Sequence, residues 1–438
     1  MADYPVIRDP IYGPIPLDPV AQALIDTPEF QRLRRVQQLS LASLVYPSAM
    51  HTRFEHSVGV YHLARSIVQS LERKGELDGV DPDDVRLIPY AALLHDLSQH
   101  VAAHLLDEFG IEGAEHEEVG AVALGRGRVG EILAGTGIPD AARRIGDVIN
   151  QRSTNPLAGI VASDCDADKM DYIARDAYHC GLPIGFDQLH LRDAVTLVED
   201  PETGRLRTGI EGAGLGSFEQ MLYSKSTLFR NVYFHRSVRS AMGILRTLVL
   251  LALDRGLIAL EELHRWSDSE LFTVLRLRVA EVCEIGSPDC ARFTELLDRL
   301  LERRLYPVAC AFPLSVMEKP SAAVILAAER ALAAELGLDE GEVVLDFPAK
   351  PTMLATDVLV RCAGGDVRNA QALGPEDGFA LNAAQQALYV ASGTVALFTA
   401  EPRSVAPEAV LRHFEAAATK ETEARSQGSE GAVFTGPG

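Results

Sequence analysis

Apolar residues recur at helical spacing through most of the first two thirds of the chain. In EFQRLRRVQQL, Phe30, Leu33, Val36 and Leu39 fall three apart on one face, with Gln31, Arg34, Arg35 and Gln38 opposite. Asp18-Pro19 and Thr27-Pro28 read as helix starts, a capping oxygen followed by proline at the first helical position. Val60, Leu63, Ile67 and Leu71 predict a helix over 56–71, with Arg53 and His56 at its start. Asp81-Pro82 opens another that runs into His95-Asp96, and Pro89 should kink it rather than end it. The pattern further predicts helical pieces over 116–153, one long helix over 156–181, and helices over 217–255 and 260–300 around Trp266. Asp168, Tyr172 and Asp176 stand four apart and so share a face of the 156–181 helix.

The period changes in three places. DPIYGPIPL reads as an extended arm with turns, and Leu197–Ile210 as a hairpin turning at Asp200 to Gly204. After Pro320 an Ala-rich helix over 321–336 gives way to β-like runs over 342–346, 356–360 and 388–398. The expected fold is therefore mainly α: a large helical domain with its arm over 1–315 and a smaller C-terminal α+β lobe over 316–420. Residues 421–438 have the composition of a disordered tail.

Composition narrows the function. The net charge of −21 disfavours a general nucleic-acid or anionic-membrane binder, although an acidic protein can still carry a locally basic pocket. The six cysteines form no C-x-x-C pair, the chain opens without an apolar leader, and the most apolar run, 247–253, is too short to span a bilayer. A cytoplasmic protein is expected.

The candidate chemistry centres on His95-Asp96 in YAALLHDLSQHVAAH. An imidazole and a carboxylate at the end of an apolar helix are costly to bury without partners. With His56 and Asp168 they form a mixed nitrogen and oxygen set suited to a divalent ion, with Mn, Mg, Fe and Zn all admissible. Such an ion makes hydroxide available near neutral pH and neutralises a phosphoryl oxygen. His104 and Asp107 stand three apart, so the carboxylate can orient an imidazole for proton transfer, and His116 is close enough in chain to join them. Arg53, Lys169, Lys225 and Arg230 neighbour these stretches and would clamp a polyanion such as a triphosphate.

The opening run from Asp9 to Val60, HD at 95–96, DADKMDYIARDAYHCGL at 166–182 and LFRNVYFHRSV at 228–238 together resemble the HD-domain deoxynucleoside triphosphate triphosphohydrolases. The resemblance covers about residues 4–300 and implies an HD-domain helical core. It implies His56, His95, Asp96 and Asp168 as metal ligands, and Arg53, Lys169, Tyr172 and Lys225 as triphosphate contacts, the last an arginine in that family. It implies Gln38 and Asp176 at the sugar 3′-hydroxyl, Leu39 crowding out a 2′-hydroxyl, and Tyr233 lining sugar and base. His104, Asp107 and His116 would lie near the α-phosphate, with His104 protonating the leaving oxygen. A dNTP substrate and a homo-oligomer (dimer or tetramer) follow. Asp26 and Arg34 match a nucleotide-effector site while Pro5 and Arg8 depart from it, which leaves activation by an effector open. The family's HDLGHGPFSH reads HDLSQHVAAH here: Gln99 replaces a phosphate-contacting histidine, and His100 comes one residue late, a rotation of about 100° on a helix. Two alternatives stand beside this: a phosphatase or pyrophosphatase on another nucleotide, and a non-catalytic nucleotide sensor.

Overall fold

The structure is a computed structural model and describes residues 5–101, 124–282, 287–313, 319–348, 357–377, 379 and 393–426. The arm is a hairpin in which β1 (Val6–Asp9) pairs antiparallel with β2 (Gly13–Pro16). Helices α1 (Pro19–Ile25) and α2 (Pro28–Arg32) begin where their caps predict. Asp18 accepts from the Val20 and Ala21 amides, and Thr27 from that of Phe30.

α2 is shorter than its apolar period implies. It tightens into a 3-10 turn over Leu33–Arg35 and leaves helical geometry at Val36 (φ −112°, ψ 114°). The amides beyond find partners outside any helix: Gln37 N donates to Asp268 Oδ2 at 2.6 Å and Gln38 N to the His51 carbonyl at 3.0 Å. Arg53 N donates in turn to the Val36 carbonyl at 2.9 Å. Gln38 and Leu39 therefore lie not on a helix face but on a strip running beside His51 to Arg53.

The central element is α3 (Arg53–Lys74), buried along most of its length and ended by Gly75 at φ +73°. α4 (Pro82–Leu94) packs along it, and Pro89 sits inside this helix without ending it. α5 (Gly127–Ala134) and α6 (Ala141–Ile149) lead to α7 (Ala167–Cys180). The long helix expected over 156–181 is thus much shorter, with only a 3-10 turn at Ala158–Ile160 before it. Asp166 is the reason: its carboxylate accepts from the Lys169 amide at 2.7 Å and the Ser163 amide at 2.9 Å, which caps a new helix there instead of continuing an old one.

α8 (Gln188–Ala194) precedes the expected hairpin, β3 (Val195–Glu199) and β4 (Leu206–Glu211), paired Glu199↔Leu206 to Val195↔Ile210. α9 (Leu215–Leu228) passes through a π turn at Phe229–Tyr233 and breaks before α10 (Arg236–Asp254), so 217–255 is two helices, the second capped by the His235 ring. α11 (Leu260–Leu263), α12 (Asp268–Val282) and α13 (Pro288–Leu301) pack with α10 around a second apolar core.

The C-terminal part is α+β. β5 (Val308–Pro313), α14 (Ala322–Leu336), β6 (Val343–Asp346), β7 (Leu359–Arg361), β8 (Val367–Asn369), β9 (Thr394–Thr399) and α15 (Pro407–Ser426) follow in order. One sheet has the order β5-β9-β6, all antiparallel. The other, β3-β4-β7-β8, joins the hairpin to later strands through a parallel pairing of β4 with β7. The chain is mainly helical with a smaller α+β lobe, as its pattern predicts. α15 continues past position 420, where a tail was expected, and residues 427–438 lie outside the described ones.

Candidate metal centre and active site

Three helices bring the site together. α3 carries His56, the C-terminal end of α4 carries His95 and Asp96, and the first turn of α7 carries Asp168. His56 Nε2 lies 3.2 Å from His95 Nε2 and 3.1 Å from Asp168 Oδ1, and His95 Nε2 lies 3.7 Å from that same oxygen. Asp96 completes the cluster, Oδ1 at 3.6 Å from His95 Nε2 and Oδ2 at 4.0 Å from His56 Nε2. His56, His95 and Asp168 are the compact candidate set among the described residues.

The far side of each imidazole shows what this set can hold. His56 Nδ1 is 2.8 Å from Asp171 Oδ2, and His95 Nδ1 is 2.8 Å from the Ala92 carbonyl. Both partners are acceptors, so each Nδ1 carries the proton and both Nε2 lone pairs turn toward each other and toward a carboxylate. Converging lone pairs 3.2 Å apart repel unless a cation sits among them. The residues therefore fit a divalent ion. Burial alone would lower the His56 pKa, but Asp168 and Asp171 outweigh it and lift it to about 10, a proton then filling the cation's electrostatic role.

Sequence reasoning passed over the support behind His56. Asp171 is fully buried and is gripped by Arg175, one turn on, through Nε at 2.8 Å and Nη2 at 2.9 Å. Arg175 reaches on to Asp9 in the hairpin at 2.9 Å. Burial would raise the Asp171 pKa, but Arg175 and His56 hold it well below the usual carboxylate range. α7 comes so near α3 that a Cβ on Gly59 would lie 2.1 Å from Asp171 Oδ1 and 2.4 Å from Arg175 Nη2. The D-x-x-x-R spacing was the available signal.

The cations flank this centre. Arg53 donates to Asp96 Oδ2 at 2.6 Å. Against burial, Arg53, His95 and His56 keep Asp96 well below its ordinary pKa. Lys169 donates to the Ser163 carbonyl at 2.7 Å and to Asp166 at 2.9 Å. Lys225 on α9 is buried with no hydrogen-bond partner among the described residues, and burial followed by the charge of Lys169 lowers its pKa. Tyr172 is partly buried against the main core, and burial with Asp168, Asp166 and Asp176 pushes its phenol well up. Arg230 is exposed at the π turn.

A second polar cluster lies further along α7. Asp176 accepts from Tyr233 at 2.5 Å through Oδ2 and pairs with His51 Nε2 at 2.7 Å through Oδ1. Gln38 lies on the adjoining strip, and its Oε1 is buried without a partner among the described residues. Leu39 is partly buried against the main core.

The segment after Asp96 does not extend α4. Its amides close turns, Leu97 N to the Leu94 carbonyl and Gln99 N to that of Asp96. Buried Arg32 takes the Leu97 and Gln99 carbonyls at 3.1 and 2.6 Å. Gln99 is buried, and the His100 ring meets His264 edge-on at 4.5 Å. His104, Asp107 and His116 lie outside the described residues.

Comparison with known proteins agrees with this architecture. Residues 53–175 match the HD domain and residues 193–375 the HD associated region. The chain belongs to the HD-domain family. Within it, the chain is 32% identical over 274 residues to an uncharacterized protein of Methanocaldococcus jannaschii, covering 62% of this chain and 55% of that one. It is 30% identical over 268 residues to the deoxynucleoside triphosphate triphosphohydrolase SAMHD1 of Homo sapiens, covering 53% of this chain and 42% of that one. The chain thus spans about half the length of the curated relatives it matches. A hypothetical protein of Aquifex aeolicus shares the fold with a TM-score of 0.66 at 24% identity, over 95% of this chain and 99% of that one. A phosphohydrolase of Bacteroides thetaiotaomicron does so with a TM-score of 0.70 at 20% identity, over 91% and 100%. Among the described residues no helix is long and apolar enough to cross a membrane.

Proposed function

We propose that this HD-domain protein is a metal-dependent hydrolase that cleaves a deoxynucleoside triphosphate to deoxynucleoside and inorganic triphosphate. The observation that carries this is the convergence of His56 Nε2, His95 Nε2 and Asp168 Oδ1, with the buried Lys225 lacking a hydrogen-bond partner among the described residues. His56, His95, Asp96 and Asp168 would hold the divalent ion, which when bound supplies Lewis acidity and a more acidic water.

The remaining roles fall to the chain's own side chains. Arg53 is fixed by Asp96 and contributes positive charge beside the ligands. Lys169 and Lys225 neutralise the triphosphate: Lys225 is buried with no hydrogen-bond partner among the described residues, and an incoming anion supplies one. Tyr172 adds a phenolic donor. Asp176 accepts from the sugar 3′-hydroxyl, Gln38 donates to that hydroxyl's oxygen through its side-chain amide, and Tyr233 lines the sugar. Leu39 offers no hydrogen bond to a 2′-hydroxyl and occupies its space, which disfavours ribose. His104 protonates the leaving 5′-oxygen, oriented by Asp107, with His116 near the same phosphate. Solution as a homo-oligomer is part of this reading, as is a nucleotide effector at the Asp26 and Arg34 positions.

The test is product analysis: purified protein with Mn²⁺ or Mg²⁺ and each dNTP in turn. Deoxynucleoside with inorganic triphosphate supports the proposal. A deoxynucleoside monophosphate with pyrophosphate, or free phosphate alone, overturns it. The second outcome would favour a phosphatase or pyrophosphatase, a reading to which buried Gln99 lends support because it stands where the family carries a phosphate-contacting histidine and its Oε1 lacks a partner among the described residues.

A further inference from the structure

His51 has no role in the chemistry above, yet it touches both groups assigned to the sugar. Its backbone carbonyl accepts from the Gln38 amide at 3.0 Å, and its ring Nε2 meets Asp176 Oδ1 at 2.7 Å. Side chain and partner are almost wholly buried, at 0% and 2% exposed. The ring stacks on His179 with centroids 4.4 Å apart and planes 10° from parallel, and His179 Nε2 lies 3.8 Å from Glu55 Oε2.

His51 Nδ1 is buried with no hydrogen-bond partner among the described residues. A proton there would be an unsatisfied buried donor, so the proton belongs on Nε2, directed at Asp176. Asp176 is then held from two sides, by His51 on Oδ1 and Tyr233 on Oδ2. Two donors fix the plane of a carboxylate and leave one lone pair on each oxygen for a further donor. A carboxylate held by Tyr233 alone could rotate about its own axis, and the aim of those lone pairs would be lost.

We propose that His51 is a positioning residue that sets the Asp176 carboxylate, and through its own carbonyl the Gln38 strip, so that the site selects substrates bearing a sugar 3′-hydroxyl. This rests on the dNTP reading above. It predicts that His51 acts on the discrimination between a sugar with that hydroxyl and one without, which a merely structural histidine would not do.

The experiment uses the full chain with Mn²⁺ and compares dGTP with 2′,3′-dideoxyGTP. His51→Phe keeps a flat ring against His179 but removes the donor, and His51→Gln restores an N–H at similar reach. The ratio of kcat/KM for dGTP over dideoxyGTP should fall about tenfold or more in His51→Phe and recover in His51→Gln. Asp176→Asn should show the same loss, and the double variant should add little to it. Equal loss on both nucleotides in His51→Phe overturns the proposal. If His51→Phe does not fold, His51→Asn, whose shorter amide falls short of Asp176, takes its place. Should the wild-type protein release no triphosphate, the hydrolytic reading fails separately and binding decides the matter. Stabilisation against heat by dGTP with Ca²⁺ should then exceed that by dideoxyGTP in the wild type and lose this excess in His51→Phe. An excess that survives the substitution overturns the proposal.

Discussion

Asp171 Oδ2 lies 2.8 Å from His56 Nδ1 and 2.8 Å from Arg175 Nε, so one buried carboxylate oxygen joins a candidate metal ligand to a buried guanidinium. The pairing fixes which His56 nitrogen faces the cation. Asp171→Asn keeps the shape but lets the amide present a donor to Nδ1, which favours the tautomer with its proton on Nε2. Metal affinity should fall about 10–100-fold, read as Mn²⁺ bound per chain in calorimetric titration. Asp171→Ala should instead unfold the protein more readily, by about 3–5 kcal/mol in denaturant, because Arg175 then loses its nearest buried counter-charge.

Metal affinity should rise with pH. In metal-free protein the carboxylates around His56 raise its pKa from 6.5 to about 10 against the opposing effect of burial. A raised folded-state pKa means the native protein holds a proton that the unfolded chain gives up. That stabilisation is complete below 6.5 and is lost as pH rises through 10. A cation must displace this proton, so the apparent binding constant should climb about tenfold per pH unit between those limits. Calorimetry in two buffers of different ionisation enthalpy should show one proton released per Mg²⁺ ion. A flat profile would mean that Nε2 is already bare.

Much of this was legible in the chain, and the failures have local causes. The caps at Asp18 and Thr27, the 195–211 hairpin and the α3 stripe were readable because each depends on neighbouring residues alone. The α2 end was not, because it is decided by Asp268, far along the chain, capturing the Gln37 amide. The 156–181 segment misled because Asp166 has the same type in a helix interior as at a cap, and only the bonds it makes distinguish them. In the site, the candidate ligands stood out by type, and the convergence of His56, His95 and Asp168 then appears in space. Asp171, Arg175 and His51 did not stand out, since their contribution lies in what they touch: a ligand, that ligand's partner, and the carboxylate of Asp176.

The α3–α7 approach at Gly59 should be intolerant of a single methyl group. The atoms it would strike, Asp171 Oδ1 and Arg175 Nη2, are buried and already committed to each other at 2.9 Å, so neither can retreat cheaply. Gly59→Ala should cost about 1–3 kcal/mol in denaturant unfolding, since overpacking a filled interior forces side chains off their minima. It should also weaken Mn²⁺ binding by disturbing Asp171. Unchanged stability and metal affinity together would show that the two helices can separate.

Lys225 offers the most direct probe of the proposed anion site. Lys225 is a buried residue whose ammonium has no hydrogen-bond partner among the described residues, and Asp164, Asp166 and Asp168 act on it through space. Lys225→Ala removes that desolvated charge. It should leave metal binding intact while raising the inhibition constant of inorganic tripolyphosphate about 10–100-fold, the loss of one charged hydrogen bond of about 1.5–3 kcal/mol. Lys225→Arg should bind tripolyphosphate at least as well, because a guanidinium can take two phosphate oxygens where an ammonium acts as a point charge. Inhibition by tripolyphosphate that is indifferent to both substitutions would place the phosphates away from Lys225.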